Sequence, residues 1–298
     1  MQDLIYLFKD GSQSCFTFNH LYDLMKIKGH QCIKLIDEDS SNAKLVIDSL
    51  KNEKVILITT DHFNVSYKDL SGNNSYSVNE IIKILNPIKK IYSFHDLGIH
   101  RVDDNLNDWN VLIPSELWKD MVFKYKISDC DFVGWPKYYN NNFHKKYDTV
   151  FFVSLVYIYK DRSAEHFMDL FGDIIQNKIP LKFPNYSGSL ELIEKLKKDD
   201  IFFDMIPMSE NSFDILCSSK NSITNSNSSI AIESSIAGCN SINIGVTYEP
   251  KEIYDNFNIK IVSTSKNALD YLMSEPQLPM IEYQFNLNKA YNFIVKNL

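Results

Sequence analysis

The chain has 298 residues, 44% of them hydrophobic and 23% charged, which supplies enough apolar side chains for two cores rather than one. A formal net charge of −7 disfavours a general nucleic-acid binder, whose surface would be basic. The five cysteines (Cys15, Cys32, Cys130, Cys217, Cys239) are scattered and never spaced as CxxC, which argues against a zinc or disulfide framework and fits a reducing cytoplasm.

The first segment reads as a strand over 4–8 rather than as a signal peptide, and it ends at Gly11-Ser12-Gln13-Ser14. A helix follows over 19–28, with Leu21, Leu24 and Met25 on one side and Gly29 as its stop. Strands are expected at 32–36 and 54–60, the latter a nearly continuous apolar run of the kind buried on both faces of a parallel sheet. Residues 78–85 form a helix that Asn86-Pro87 ends. A strand at 90–94 leads into His95-Asp96-Leu97-Gly98, another lies at 110–113, and Pro114-Ser115-Glu116 opens a helix through Lys124. A sixth strand, 131–133, closes at Gly134-Trp135-Pro136.

Residues 138–146 are polar, with three consecutive asparagines, and read as a linker. Beyond it the pattern restarts. Strands are expected at 149–159, 179–183 and 201–206, with helices at 164–177, 189–198 and 212–219. The longest apolar run, 149–159, is too short to span a bilayer. A late strand at 259–262 and helices at 266–273 and 286–297 complete the chain.

Alternating strand and helix units of this kind imply parallel sheets with helices on both faces. Two sets separated by a linker predict an α/β protein of two Rossmann-like domains facing a cleft, 1–137 and 147–298. There is no GxGxxG fingerprint, Walker A motif or internal repeat.

The segment 221–246 carries the most chemical information. It reads as a short strand, a polar turn, a helix stopped by Gly238, and another strand. The turn gathers Asn225, Ser226, Asn227, Ser228 and Ser229 where the helix begins, and helix starts hold anions through free N–H groups. Glu233 lies four residues after Ser229, on the same helix face. A capping box would place an acid at the third helical position, which is Ala231 or Ile232 here, so capping does not account for Glu233. Phosphates on the hydroxyls and N–H groups, with ribose hydroxyls on the acid, would account for the whole pattern.

This layout resembles the glycosyltransferases of the GT-B fold, and most closely the bacterial envelope enzymes that include the CDP-glycerol glycerophosphotransferases and related capsule and lipopolysaccharide transferases. Three segments carry the resemblance. Asp131-Phe-Val-Gly-Trp-Pro136 is similar to a segment that ends the family's first domain. Lys182-Phe-Pro184 stands where the family has a K-x-H-P-like strand end. Ile223-Thr-Asn-Ser-Asn-Ser-Ser-Ile-Ala-Ile-Glu233 is similar to its nucleotide-binding segment, a pattern also found in UDP-sugar 2-epimerases and nucleotide-sugar hydrolases. Phe183 replaces the expected histidine, so a phosphate contact made there in the family must come from elsewhere.

The resemblance implies a metal-independent transfer of a sugar or polyol phosphate from a UDP- or CDP/CMP-linked donor to a glycan or lipid-linked acceptor, with no further cofactor. It implies a cytoplasmic protein, compatible with peripheral association at the inner face of the plasma membrane. His95 or Asp96 is the expected base, histidine being tuned to neutral pH, and Asp61-His62 is a second candidate. Gly11, Ser12 and Ser14 form the loop expected to face donor or acceptor. Lys160, Arg162 and Lys182 are cations at strand ends suited to a diphosphate, and Met208 lies where backbone groups would read the base. With Asn227, Ser228, Ser229 and Glu233 these make the expected nucleotide site. Two alternatives share the layout: a nucleotide-sugar hydrolase or 2-epimerase, and a non-catalytic GT-B module.

Overall fold

The computed structural model describes residues 4–10, 17–36, 40–60, 63, 75–94, 105–139, 141, 143–154, 163–185, 187–226, 228–245 and 251–296. Two compact α/β units result. The first comprises Met1–Tyr139 with Glu282–Leu298, and the second Asn140–Ile281.

The first unit is built on six parallel strands, β1 (Leu4–Asp10), β2 (Gln31–Ile36), β3 (Lys54–Thr59), β4 (Lys89–Tyr92), β5 (Asn110–Ile113) and β6 (Asp129–Phe132), in the order β2-β1-β3-β4-β5-β6. Every residue of β3 after Lys54 is buried, as expected for a central parallel strand covered on both faces. The helix Val78–Leu85 has the predicted bounds for identifiable reasons. Ser77 accepts from the Glu80 N–H, the Glu80 carboxylate accepts from the Ser77 N–H, and Asn86 ends the helix at φ +45°.

The second unit holds β7 (Tyr147–Phe152), β8 (Leu181–Lys182), β9 (Met205–Ile206), β10 (Ser219–Asn225), β11 (Asn240–Ile244) and β12 (Lys260–Val262), all parallel, in the order β12-β11-β10-β7-β8-β9. Ser163 caps the helix Ala164–Gln176, which buries Phe167, Phe171 and Ile174 against Phe151 and Ile223.

The structure departs from the sequence expectation in several places. The strand expected over 149–159 is Tyr147–Phe152, and residues 155–162 lie outside the described set. The strands expected at 179–183 and 201–206 shrink to two-residue ladders. The expected helix after Pro114 divides into a 3-10 turn, Glu116–Trp118, and a helix, Lys119–Phe123. Two unexpected helices are present, Ser40–Ser49 and Lys251–Asn256. In the former the contiguous apolar run conceals the pattern: Ala43, Ile47 and Leu50 are buried at helical spacing while Leu45 faces outward.

The closing segment, grouped by sequence with 147–298, packs in the first unit instead. Its helix Leu287–Val295 buries Ala290, Phe293 and Ile294 in the core formed by Phe8, Leu21, Met25 and Ile58. The Lys89 ammonium meets the carbonyls of Ile294 and Lys296 at that helix's end, at 3.2 and 3.1 Å. The segment Asp131-Phe-Val-Gly-Trp-Pro136 grips the strap that precedes it. The Trp135 N–H donates to Tyr283 O, the Asn286 N–H to Val133 O, and the Phe285 N–H to Tyr138 O. A Cβ on Gly134, at φ +81°, would lie 2.2 Å from Gln284 O. Glycine is required there both for conformation and for space.

Two glycine substitutions separate those causes. Gly29 has a similar φ of +87°, but a Cβ there would meet nothing within 4 Å. Gly29→Ala is expected to cost about 1–2 kcal/mol, the conformational penalty alone, whereas Gly134→Ala adds a backbone clash and exceeds it by about 2 kcal/mol or more. Urea unfolding of both variants checks this; equal midpoints would remove the steric account.

Candidate functional site

In the second unit the chain runs from β7 to β8 and β9 on one side, then returns to lay β10 against the other side of β7. Numbered from β7, the order is 3-2-1-4-5-6, that of dinucleotide-binding Rossmann folds, and in such sheets ligands bind beyond the carboxyl ends of the strands where the order reverses. That place lies between the ends of β7 and β10. It is tied together by one side chain: Asn225, the last residue of β10, accepts a 2.8 Å hydrogen bond at Oδ1 from the Ser154 N–H, two residues beyond β7. Asn225 was expected in the turn; it is a buried strand residue.

The segment beyond β10 turns sharply at Ser226, which adopts φ +57° and donates its N–H to Ile244 O. Ser228 and Ser229, both partly buried, then open the helix Ile230–Ile236, whose residues from Ala231 onward are buried. Ser229 occupies the N-cap position without making a capping bond. Its hydroxyl donates instead to Glu233 Oε1 at 3.3 Å, and Glu233 is only 3% exposed. Ser228 Oγ accepts from the Ile230 N–H at 3.4 Å. The structure thus sets the Ser229 hydroxyl on a buried carboxylate, with Ser228 beside it in sequence. The helix is seven residues long, so its dipole is small.

Lys182, at the end of β8, is buried, and its ammonium meets the carbonyls of Pro207 and Met208 at 3.0 and 2.8 Å. This brings two expected site residues together, in an internal role: Lys182 fixes the segment after β9. Phe183, the departure from the K-x-H-P pattern, is fully buried among Phe167 and Phe203. A side chain at that position serves the core. The ends of β8 and β10 flank β7, two strand spacings or about 10 Å apart.

In the first unit the order changes direction between β1 and β3, the switch point of flavodoxin-like sheets. Gly11, Ser12 and Ser14 follow β1 in sequence, and His95 and Asp96 follow β4. These five, together with Asp61, His62, Lys160, Arg162 and Asn227, lie outside the described residues. The residues just before His95 are firmly held. The Ser93 N–H donates to Thr59 O at 3.0 Å, and Phe94 O accepts from the indole N–H of Trp135 at 3.2 Å. The segment at 131–136, noticed for its family likeness, therefore anchors the strand end that leads to the expected base.

The described cysteines, Cys32, Cys130, Cys217 and Cys239, are free thiols, and burial pushes Cys217 and Cys239 up to about 12. Among the described residues no group of three or more His, Cys, Asp or Glu side chains could hold a metal ion, and no helix is long and apolar enough to cross a membrane.

No protein-family model matches the chain, and no curated protein does. Solved structures do. A Listeria monocytogenes protein described as a UDP-N-acetylglucosamine 2-epimerase superposes with a TM-score of 0.54 at 9% identity, over 97% of this chain and 95% of that one. Acinetobacter baumannii MurG gives 0.37 at 10% identity over 99% and 94%, and the GtfA/B complex 0.36 at 9% over 87% and 57%. The first likeness is one of fold: two Rossmann-like α/β units in one chain, the GT-B class. The other two superpositions are too loose to carry an argument.

Replacing Lys182 with methionine tests its internal role. The loss of two charge-assisted bonds from a buried ammonium to partly buried carbonyls is expected to lower the unfolding free energy by about 1–3 kcal/mol in the ligand-free protein. An unchanged urea midpoint would show that those bonds contribute nothing.

Proposed function

We propose that this chain is a nucleotide-sugar enzyme, and specifically a glycosyltransferase that moves a sugar or polyol phosphate from a UDP- or CDP/CMP-linked donor to a bacterial surface glycan or lipid-linked acceptor. The observation that carries the reading is the Ser229–Glu233 pair, set beyond the carboxyl end of β10 where the strand order reverses. A nucleotide needs acceptors for its ribose hydroxyls and donors for its phosphates. Glu233 supplies the first, and the Ser228 hydroxyl, joined by that of Ser229 once it turns from Glu233, supplies the second. The Listeria fold neighbour carries the description of a nucleotide-sugar enzyme, and that likeness of fold supports the reading.

In this proposal the second unit holds the nucleotide, and the first contributes His95 or Asp96 as the base that takes the acceptor's proton. Charge builds on the leaving diphosphate as the bond to the transferred group breaks, and donors around the nucleotide stabilise it. The transfer proceeds without a metal ion, so chelators leave turnover unchanged.

The decisive experiment is a donor screen reading nucleotide release, with and without lysate glycans, alongside titration calorimetry with UDP, CDP and CMP. Release that depends on added glycan is the expected result. Release without acceptor would replace transfer by hydrolase or 2-epimerase chemistry, and the absence of any nucleotide binding would leave a non-catalytic module. Ser229→Ala and Glu233→Gln should each weaken nucleotide affinity, Glu233→Gln by about 10- to 100-fold, with cooperative unfolding retained. His95→Ala should abolish turnover and keep binding. Normal binding and turnover in all three would refute the site assignment.

A further inference from the structure

Asn225 holds a feature that neither the fold nor the Ser229–Glu233 pair explains. Among the described residues its side-chain nitrogen is enclosed without a hydrogen-bond partner, and the residue is only 2% exposed. Reversing the amide does not repair this. The group facing Asn225 Oδ1 is the Ser154 backbone N–H, which only donates, so the oxygen must face it and the NH2 must point away. Asn243, one strand over, is different. Its enclosed nitrogen also lacks a partner, but its oxygen faces the Thr224 hydroxyl, which lies 3.4 Å from Ile242 O as well. That hydroxyl can donate to Ile242 and accept from a reversed Asn243 amide. The unpaired donor of Asn225 is therefore fixed by the backbone, and the one at Asn243 is not.

An enclosed donor without an acceptor forfeits the hydrogen bond it made to water and destabilises the folded protein. This one sits on the last residue of β10, against the end of β7, at the point where the strand order of the second unit reverses. An acceptor arriving from outside the protein would recover that cost. Resting on the nucleotide-binding reading above, we propose that Asn225 is a specificity-determining donor for the diphosphate of a nucleoside diphosphate: its oxygen latches β10 to the end of β7, and its NH2 binds a phosphate oxygen. At pH 8 the oxygens of a diphosphate are essentially unprotonated and only accept, which suits a group that can only donate. An aspartate here would still accept from Ser154 but would present an oxygen to the phosphates.

Asn225→Asp thus preserves the latch and inverts the ligand-facing chemistry. Calorimetry with UDP, CDP and uridine at pH 8 reads the result, using for the variant whichever diphosphate the unaltered protein binds. The expected outcome is at least a tenfold loss of diphosphate affinity, less than a threefold change for uridine, and a retained cooperative melt. Unchanged diphosphate affinity would overturn the proposal, and so would an equal loss for the diphosphate and uridine, which would place the donor on the nucleoside. Should Asn225→Asp fail to fold, the side-chain amide resonances of Asn225 in the unaltered protein replace it. They should shift with the diphosphate and not with uridine, and the reverse pattern or no shift overturns the proposal. Failure of the unaltered protein to bind any nucleotide is a separate result that removes the nucleotide reading itself.

Discussion

Everything in the candidate site depends on the pairing of β7 with β10, strands separated in sequence by two whole strand–helix units. Parallel strands need long crossovers, and the direction of those crossovers reverses once in this sheet. At that reversal the crossovers leave toward opposite sides, so polar groups gather at the strand ends without breaking the core. The register places Thr224 opposite Phe152, which leaves Asn225 and Ser154 to bridge the two ends. The serine-rich turn and the Glu233 helix are then delivered to that place by the direction of β10 alone.

The division of labour among polar groups follows from which partners each can reach. Ser229 gives up capping and turns to Glu233. Lys182 has the position of a phosphate ligand but meets two carbonyls of its own chain, becoming a strut between β8 and the segment after β9. Phe183 continues the aromatic core, so the residue that breaks the family pattern has a structural explanation in packing. The segment 131–136 is architectural, with its glycine and tryptophan engaged by backbone groups of the closing strap.

Much of the fold was legible in the sequence because the signals were local. Ser77, Glu80 and Asn86 mark both ends of one helix, and the apolar run of β3 announces a covered parallel strand. The Ser229–Glu233 pair was legible too, since four-residue spacing fixes a shared helix face. What stayed hidden depends on tertiary context. Nothing in Ser40–Ser49 distinguishes Leu45, which faces outward, from Ile47, which does not. Asn225 reads as turn material because asparagine favours turns, yet the neighbouring strands absorb it. The signal available was weak: the strand 219–225 is polar apart from Ile223, so its amide end does not stand out from the turn that follows. The destination of the final helix was illegible for the same reason: an apolar face does not name the core it joins, and the strap contacts that carry it to the first unit are tertiary.

That strap has a bearing on biosynthesis. The first unit draws its core from both extremes of the described chain, Phe8 and Leu21 at one end and Phe293 and Ile294 at the other. The second unit is continuous from Asn140 to Ile281. On the ribosome the later-made half can therefore complete its interior while the earlier-made half still waits with an open flank for its last helix. The order of maturation is opposite to the order of translation, and chaperone demand falls on the half that emerges first.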